Sequence, residues 1–91
     1  MQPIAQVMPR ALADIVRAAP LSAGKVDFAW RCAVGTAMAR ASAVRLDGQV
    51  LLVEAQSPQW AAAIRRSSAI ILTRLQTLLG PETVSELRLR T

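Results

Sequence analysis

The chain has 91 residues, which is enough for one small domain spanning residues 1–91 and too few for a second hydrophobic core. Eleven Lys and Arg residues against six Asp and Glu residues give a net charge of +5. This charge favours a polyanionic partner such as nucleic acid. A membrane surface, an acidic protein or purely solubilising charge would also account for it. The single Cys32 excludes an internal disulfide, and the absence of His leaves too few ligands for a structural zinc site.

The first predicted element is an amphipathic helix. Apolar residues recur at helical spacing over residues 4–19. Pro9 lies within this pattern and lacks the N–H that a helix interior needs, so regular helix is predicted to start there and to end near Ala18. Pro20 and Gly24 then predict a connection.

A second helix is predicted over the next apolar face, from Val26 to Met38. Trp30 falls on this face and is predicted to anchor the core, although a tryptophan can also stack on a base. Gly35 lies within the predicted helix, where glycine costs about 1 kcal/mol relative to alanine. We therefore expect Gly35 to permit close approach of another backbone segment.

From Ser42 the hydrophobic period changes to two, which predicts a β-hairpin. Asp47 and Gly48 are predicted to form its two-residue turn, so that Leu46 faces Gln49. One predicted face holds Val44, Leu46, Leu51, Val53 and Ala55. The other holds Arg45, Val50, Leu52 and Glu54. Because the second strand is apolar on both faces, it is predicted to lie in the centre of the sheet.

A long helix is predicted after the hairpin. Ser57 supplies a capping oxygen and Pro58 suits the first helical position, where no N–H is needed. The apolar stripe of this helix begins at Trp60, which is predicted to be buried, and the helix is predicted to end at Gly80.

A final strand is predicted at the end of the chain, where Leu87 and Leu89 alternate with arginines. A helix that joins two strands of one sheet forms a crossover, so this strand should run parallel to the preceding one. The predicted fold class is α+β, with the order ααββαβ, a three-stranded mixed sheet and helices packed on one face.

Neither an enzyme nor a bound cofactor or metal is predicted. The four glycines are isolated, so no Gly-rich phosphate loop is present, and without His no side chain provides the usual general base. The first 19 residues lack the layout of a signal peptide, and no run approaches the ~20 apolar residues of a membrane span. A cytoplasmic protein without membrane contact is the resulting expectation.

Five arginines are the candidate phosphate contacts. Arg65 and Arg66 lie beside the apolar stripe of the long helix, whereas Arg45, Arg88 and Arg90 are predicted to point outward from the open face of the sheet. Val50 and Leu52 share that face and are candidate partner-interface residues, since apolar and cationic residues together are typical of a binding surface. The simpler alternative is that these arginines bind no partner and only keep the exposed faces of the protein soluble.

The order of several short motifs resembles the DciA family. These motifs are Trp30-x4-Gly35, Gly48-x-Val-Leu-Leu-Val, Ser57-Pro-x-Trp60-Ala, and Leu-Gly80 before a strand. The resemblance covers residues 4 to 90 and implies a KH-like fold without the Gly-x-x-Gly loop that true KH domains use. It also implies interaction with a DnaB-type replicative helicase and with DNA, promoting helicase loading without ATPase activity.

The leading hypothesis is therefore a noncatalytic accessory of the replicative helicase that contacts single-stranded or duplex DNA. Two alternatives stay open: a protein-interaction module that binds the helicase or its own copy without touching DNA, and a KH-like RNA-binding protein. The sequence does not fix the oligomeric state.

Overall fold

The computed structural model of the protein describes the backbone of residues 10–90 and the side chains of residues 14–90. The elements in chain order are α1 (Arg10–Ala18), α2 (Ala23–Val34), α3 (Thr36–Arg40), β1 (Ser42–Asp47), β2 (Val50–Ala55), α4 (Pro58–Arg66), α5 (Ser68–Leu79) and β3 (Glu86–Arg90). This order confirms the predicted α+β class. The predicted end of the first helix at Ala18 is confirmed, whereas its predicted start at Pro9 lies outside the described residues.

The three strands form one mixed sheet in the order β1, β2, β3. β1 is antiparallel to β2, and β3 is parallel to β2, which confirms both the central second strand and the parallel third strand. Leu51 and Val53 are fully buried on the face that the helices cover, where Leu87 and Leu89 pair with them. The predicted assignment of side chains to the two faces is thus confirmed.

The predicted hairpin turn is wrong by one position. Asp47 pairs with Val50, so the two turn residues are Gly48 and Gln49, and Leu46 faces Leu51. Gly48 has φ +62°, while no non-glycine residue in the described part of the chain has a positive φ. A turn with glycine first therefore needs nothing unusual from Asp47, which stays in the strand. The pairing moves by two residues, so each side chain keeps its predicted face.

The predicted second helix is two helices joined at Gly35. α2 ends at Val34 and α3 begins at Thr36, with φ +87° and ψ 165° at Gly35 between them. That backbone region is essentially restricted to glycine. An added Cβ would meet no atom within 4 Å, so the expected close backbone approach is wrong. Backbone freedom is the reason for this glycine, and we call this bend the elbow.

The predicted long helix is also two helices, α4 and α5, which meet at Ser67. Its start is confirmed: the Trp60 N–H donates to Ser57 Oγ at 3.3 Å, with Pro58 at the first helical position. Its end before Gly80 is confirmed as well. α4 packs on the sheet, whereas α5 packs mainly against α1 and α2. A single straight helix would not follow both surfaces, and consecutive serines favour a break.

The two tryptophans differ in burial. Trp30 is buried as predicted, at 2% exposure, and its Nε1–H donates to Ser42 Oγ at 2.9 Å. Trp60 is only half-buried and lies outside the hydrophobic core cluster of the described residues, so its predicted burial is wrong. The buried stripe of α4 is formed by Ala61 and Ile64, and helical spacing puts Trp60 at the edge of that stripe.

Within the described part of the chain, no helix combines the length and the apolar character needed to cross a membrane.

Candidate nucleic-acid interface

The open face of the sheet carries as many acids as arginines. The strand register arranges its side chains in three rows across β1, β2 and β3. The rows are Asp47, Val50 and Glu86; Arg45, Leu52 and Arg88; and Ala43, Glu54 and Arg90. Three guanidinium groups therefore face the same side as three carboxylates, and the open face is formally neutral.

Arg45, Arg88 and Arg90 are exposed on this face, as predicted. Arg88 is engaged locally, because its Nη2 lies 2.9 Å and its Nε 3.3 Å from Glu86 Oε2. Side chains of both partners are about half exposed, so solvent screens this ion pair and its contribution to stability is small.

Val50 and Leu52 are half-buried in the middle of the open face. Leu52 helps to line a shallow cavity of about 240 Å³, together with Arg45, Glu54 and Arg90. Apolar side chains surrounded by balanced charges are the composition of an ordinary protein interface. No aromatic side chain belongs to these three rows, so the face offers no platform for base stacking.

The net charge of +5 consequently belongs to the helices and connections, which hold the other eight cations and the other three carboxylates. Three of these cations have structural partners among the residues whose side chains are described. Lys25 Nζ donates to the carbonyls of Arg17 and Ala19, at 3.1 and 2.7 Å, and holds the end of α1. Arg17 Nη2 lies 3.8 Å from Glu82 Oε2.

Arg74 is the third cation with a structural partner. Its Nη1 donates to the Ala33 carbonyl at 2.9 Å and so satisfies an acceptor at the C-terminal end of α2. A positive charge there is also favourable for the helix dipole of α2. The guanidinium of Arg74 is therefore directed to the elbow.

Among the arginines on the helices, four with described side chains are exposed and make neither an ion pair nor a side-chain hydrogen bond within residues 14–90: Arg31, Arg40, Arg65 and Arg66. The sequence prediction identified Arg65 and Arg66. Both lie in the last turn of α4, where they complement the helix dipole. Helical spacing puts Arg65 at the edge of the buried stripe and Arg66 nearly opposite it.

The other pair, Arg31 and Arg40, was missed. They lie nine positions apart, and one uninterrupted helix would put them on opposite sides. The elbow at Gly35 changes the direction of the chain, so both arginines line one surface cavity of about 320 Å³ with Thr36 and Ala39. We call this the elbow site. The available signal was a glycine in mid-helix with an arginine on each side.

Cys32 lies next to Arg31 but is not an activated thiol. Burial raises its pKa, and the positive charge of Arg31 opposes that rise only in part. Its side chain is half-buried and packs against the core, as a small apolar residue would.

The fold and its exposed groups thus define a class: small α+β domains that present guanidinium groups on helices beside a neutral, partly apolar sheet face. The family described as "Dna[CI] antecedent, DciA" matches residues 3–89, and the chain belongs to this family. The predicted resemblance is thereby confirmed. DciA is a family of helicase-loading accessory proteins, associated with the DnaB helicase. No curated protein matches the chain.

Proposed function

We propose that this protein is a noncatalytic accessory of a DnaB-type replicative helicase and that it promotes loading of the helicase. In this proposal it holds DNA through the elbow site and through Arg65 and Arg66. The observation that carries the DNA contact is the location of the net charge. Within residues 14–90 the helices hold four exposed arginines without protein partners, whereas the two such arginines of the sheet, Arg45 and Arg90, share their face with three carboxylates. Membership of the DciA family supports the helicase partner. The domain acts in the cytoplasm as a single unit and needs no cofactor.

Guanidinium groups suit this role because each presents several donors to phosphate oxygens and stays charged at every physiological pH. Phosphate contacts position a protein on nucleic acid without reading its sequence. We therefore expect binding with little sequence preference and a steep dependence on salt. In this proposal a KH-like domain without a Gly-x-x-Gly loop holds the backbone by charge rather than by loop amides.

Arg45, Arg88 and Arg90 remain candidate phosphate contacts, but we propose that they contribute less. Asp47, Glu54 and Glu86 share the open face with them and cancel their charge. The same balance favours a second role for the face, that of a protein interface with the helicase. Leu52, half-buried at the centre of the face, would be its main apolar contact.

Fluorescence anisotropy tests the DNA contact. Single-stranded DNA, duplex DNA and single-stranded RNA are titrated with three double variants: R31Q/R40Q, R65Q/R66Q and, as a control that removes equal charge from the open face, R45Q/R88Q. Four contacts on single-stranded DNA give a slope of log Kobs against log salt of about −3, and two contacts give about −1.4. Both helix variants should show the shallower slope, whereas the control should keep the steeper one.

Equal losses in all three variants would mean that overall charge alone binds DNA, and the assignment to the helices would then be wrong. Tighter binding to RNA than to either DNA would favour the KH-like RNA-binding alternative.

A pull-down with the DnaB-type helicase of the same organism tests the second role. L52D places a charge at the centre of the open face and should abolish helicase capture without changing DNA affinity. R65Q/R66Q should show the reverse behaviour, namely normal capture and weakened DNA binding. If L52D captured the helicase normally, the helicase contact would not lie on the open face.

A further inference from the structure

The aromatic side chain of Phe28 lies on the surface of α2. Its exposure is 39%, whereas Trp30 is buried and Trp60 is half-buried. The buried side of α2 holds Val26, Ala29, Trp30 and Ala33. Helical spacing turns Phe28 away from that side. Packing in the core therefore does not account for this phenyl ring.

Phe28 lies between two cations on the outward side of α2. Lys25, Phe28 and Arg31 follow one another at intervals of three residues, so they form one row along the helix surface. Lys25 Nζ is engaged by two carbonyls at the end of α1. Arg31 makes neither an ion pair nor a side-chain hydrogen bond within residues 14–90. The guanidinium beside the ring is thus available to a ligand.

This row leads into the elbow site. Arg31 lines the cavity of about 320 Å³ together with Arg40, and Phe28 lies about one helical turn before Arg31. Asp27 is next to Phe28 in the sequence, but it lines a different cavity, beside Arg45 of β1. An exposed ring next to a basic cavity is the combination with which proteins bind single-stranded nucleic acid.

We propose that Phe28 stacks on a base of single-stranded DNA whose phosphates lie in the elbow site. This inference rests on the proposed function, in which Arg31 and Arg40 contact phosphates. Arg31 holds the phosphate beside the stacked base, and Arg40 holds the backbone further along the strand. The open face of the sheet has no aromatic side chain in its three rows, so the stacking contact belongs to α2.

Stacking on Phe28 makes the elbow site selective for unpaired strands. In a duplex the faces of each base are covered by the neighbouring base pairs, so a side chain on a helix surface does not reach them. An unpaired strand exposes these faces, and every base has one, so the contact reads no sequence. Contacts from arginines to phosphates hold single and double strands alike. The preference for single strands is therefore assigned to Phe28.

Fluorescence anisotropy of F28L and F28W tests the stacking. F28L keeps an apolar side chain at an exposed helix position, so it should fold like the wild type. Its affinity for a single-stranded thymidine oligonucleotide should fall by about 5-fold to 100-fold, because the stacked base loses its aromatic partner. Its affinity for duplex DNA should change by less than about twofold, since the phosphate contacts remain. F28W keeps a ring and should bind the single strand at least as tightly as the wild type.

The charge variants separate a failure of this inference from a failure of the proposed function. If F28L bound the single strand like the wild type while R31Q/R40Q weakened binding to both DNA forms, the stacking would be wrong and the proposed function would stand. If the wild type bound neither form, both would be wrong. If F28L lost capture of the helicase but kept its affinity for the single strand, Phe28 would be a protein contact and the inference would be overturned.

Tryptophan emission gives a direct measurement of the stacked base. In W60F the remaining indole is the buried Trp30, and single-stranded DNA should leave its emission unchanged. F28W/W60F adds an indole at the proposed stacking position, and a base stacked on it should quench its emission. Duplex DNA at saturation should not. An emission of F28W/W60F that saturating single-stranded DNA leaves unchanged, or that duplex DNA quenches equally, would contradict stacking at this position.

Discussion

The elbow at Gly35 and the junction at Ser67 both interrupt stretches whose hydrophobic spacing predicts one helix, yet they interrupt them differently. Gly35 has φ +87°, a backbone conformation that redirects the chain between two helices. Ser67 has φ −103° and ψ 10°, and its N–H still bonds to the carbonyls of Ala63 and Ile64 at 3.3 and 3.2 Å. The interruption at Gly35 therefore requires glycine, whereas the interruption at Ser67 keeps a backbone close to helical geometry.

The difference determines how each arginine pair is formed. Arg65 and Arg66 are adjacent in the sequence and remain neighbours whatever the junction does. Arg31 and Arg40 share a cavity only because Gly35 bends the chain between them. Two exposed arginines can thus be neighbours because they are adjacent in the sequence or because one residue bends the backbone between them. Only a pair of the second type would be separated by replacing that one residue.

Replacing each interrupting residue with alanine should give the largest contrast. G35A forces an alanine into a region that costs about 1–3 kcal/mol, so the free energy of unfolding should fall by that amount. S67A removes a hydroxyl that makes no capping bond, and should change stability by less than about 0.5 kcal/mol. Urea unfolding followed by circular dichroism measures both. Equal stabilities would mean that Gly35 is not required by its backbone conformation.

The contact between the two regions gives a smaller effect. Arg74 of α5 donates to the Ala33 carbonyl beside the elbow, and R74M removes the donor while keeping most of the apolar stem. We expect a loss of about 1–2 kcal/mol in the free energy of unfolding, because the carbonyl of the buried Ala33 loses its partner. R66M, at the exposed end of α4, is the matched control and should lie within about 0.5 kcal/mol of the wild type. If the two variants unfolded alike, Arg74 would not stabilise the elbow.

The smallest expected effect concerns Cys32, which follows Arg31 at the elbow. Its pKa is raised in the folded protein, mainly by burial, so the unfolded chain ionises first as the pH rises. The resulting stability is complete below the ordinary pKa near 9.0 and is lost as the pH rises through the raised value. Urea unfolding of the wild type and C32A should therefore differ in pH dependence above that point.

The charge of Arg31 allows a second measurement on Cys32. Arg31 lowers the pKa of Cys32 by its charge, so R31Q should raise that pKa further and slow alkylation of the thiol at alkaline pH. R65Q, at the junction, removes an equal charge and should leave the alkylation rate unchanged. Identical rates in R31Q and the wild type would show that the guanidinium does not act on the thiol.

Several features set by neighbouring residues were predicted correctly, although the position of the hairpin turn was not. The Ser57 cap, the end of α5 before Gly80, the two faces of the hairpin and the parallel third strand each follow from spacing or from local hydrogen bonding. The exposure of Arg65 and Arg66 was also predicted, because it is visible in a helical pattern, whereas their role in binding stays a prediction. The family likeness added the helicase association, which no residue pattern contains.

Features set by tertiary packing were not predicted. Trp30 and Trp60 both fall on apolar stripes, but of the two only Trp30 belongs to the hydrophobic core cluster of the described residues, whereas Trp60 lies at the edge of the face that α4 turns to the sheet. Hydrophobic periodicity shows on which side of a helix a residue lies, but it does not show whether another element packs against that side. The elbow site was missed for a related reason: hydrophobic spacing continues through Gly35, while the backbone does not.

The unequal burial of the two tryptophans has a practical consequence for spectroscopy. The chain has no tyrosine, so its intrinsic fluorescence comes essentially from two indoles. One indole is enclosed and hydrogen-bonded to Ser42, while the other is in partial contact with water. In W60F the remaining emission comes from Trp30 and reports core packing alone. In W30F it comes from Trp60, which a quencher in the solvent can reach. Unlabelled protein can therefore show separately when its interior opens and when the start of α4 becomes covered.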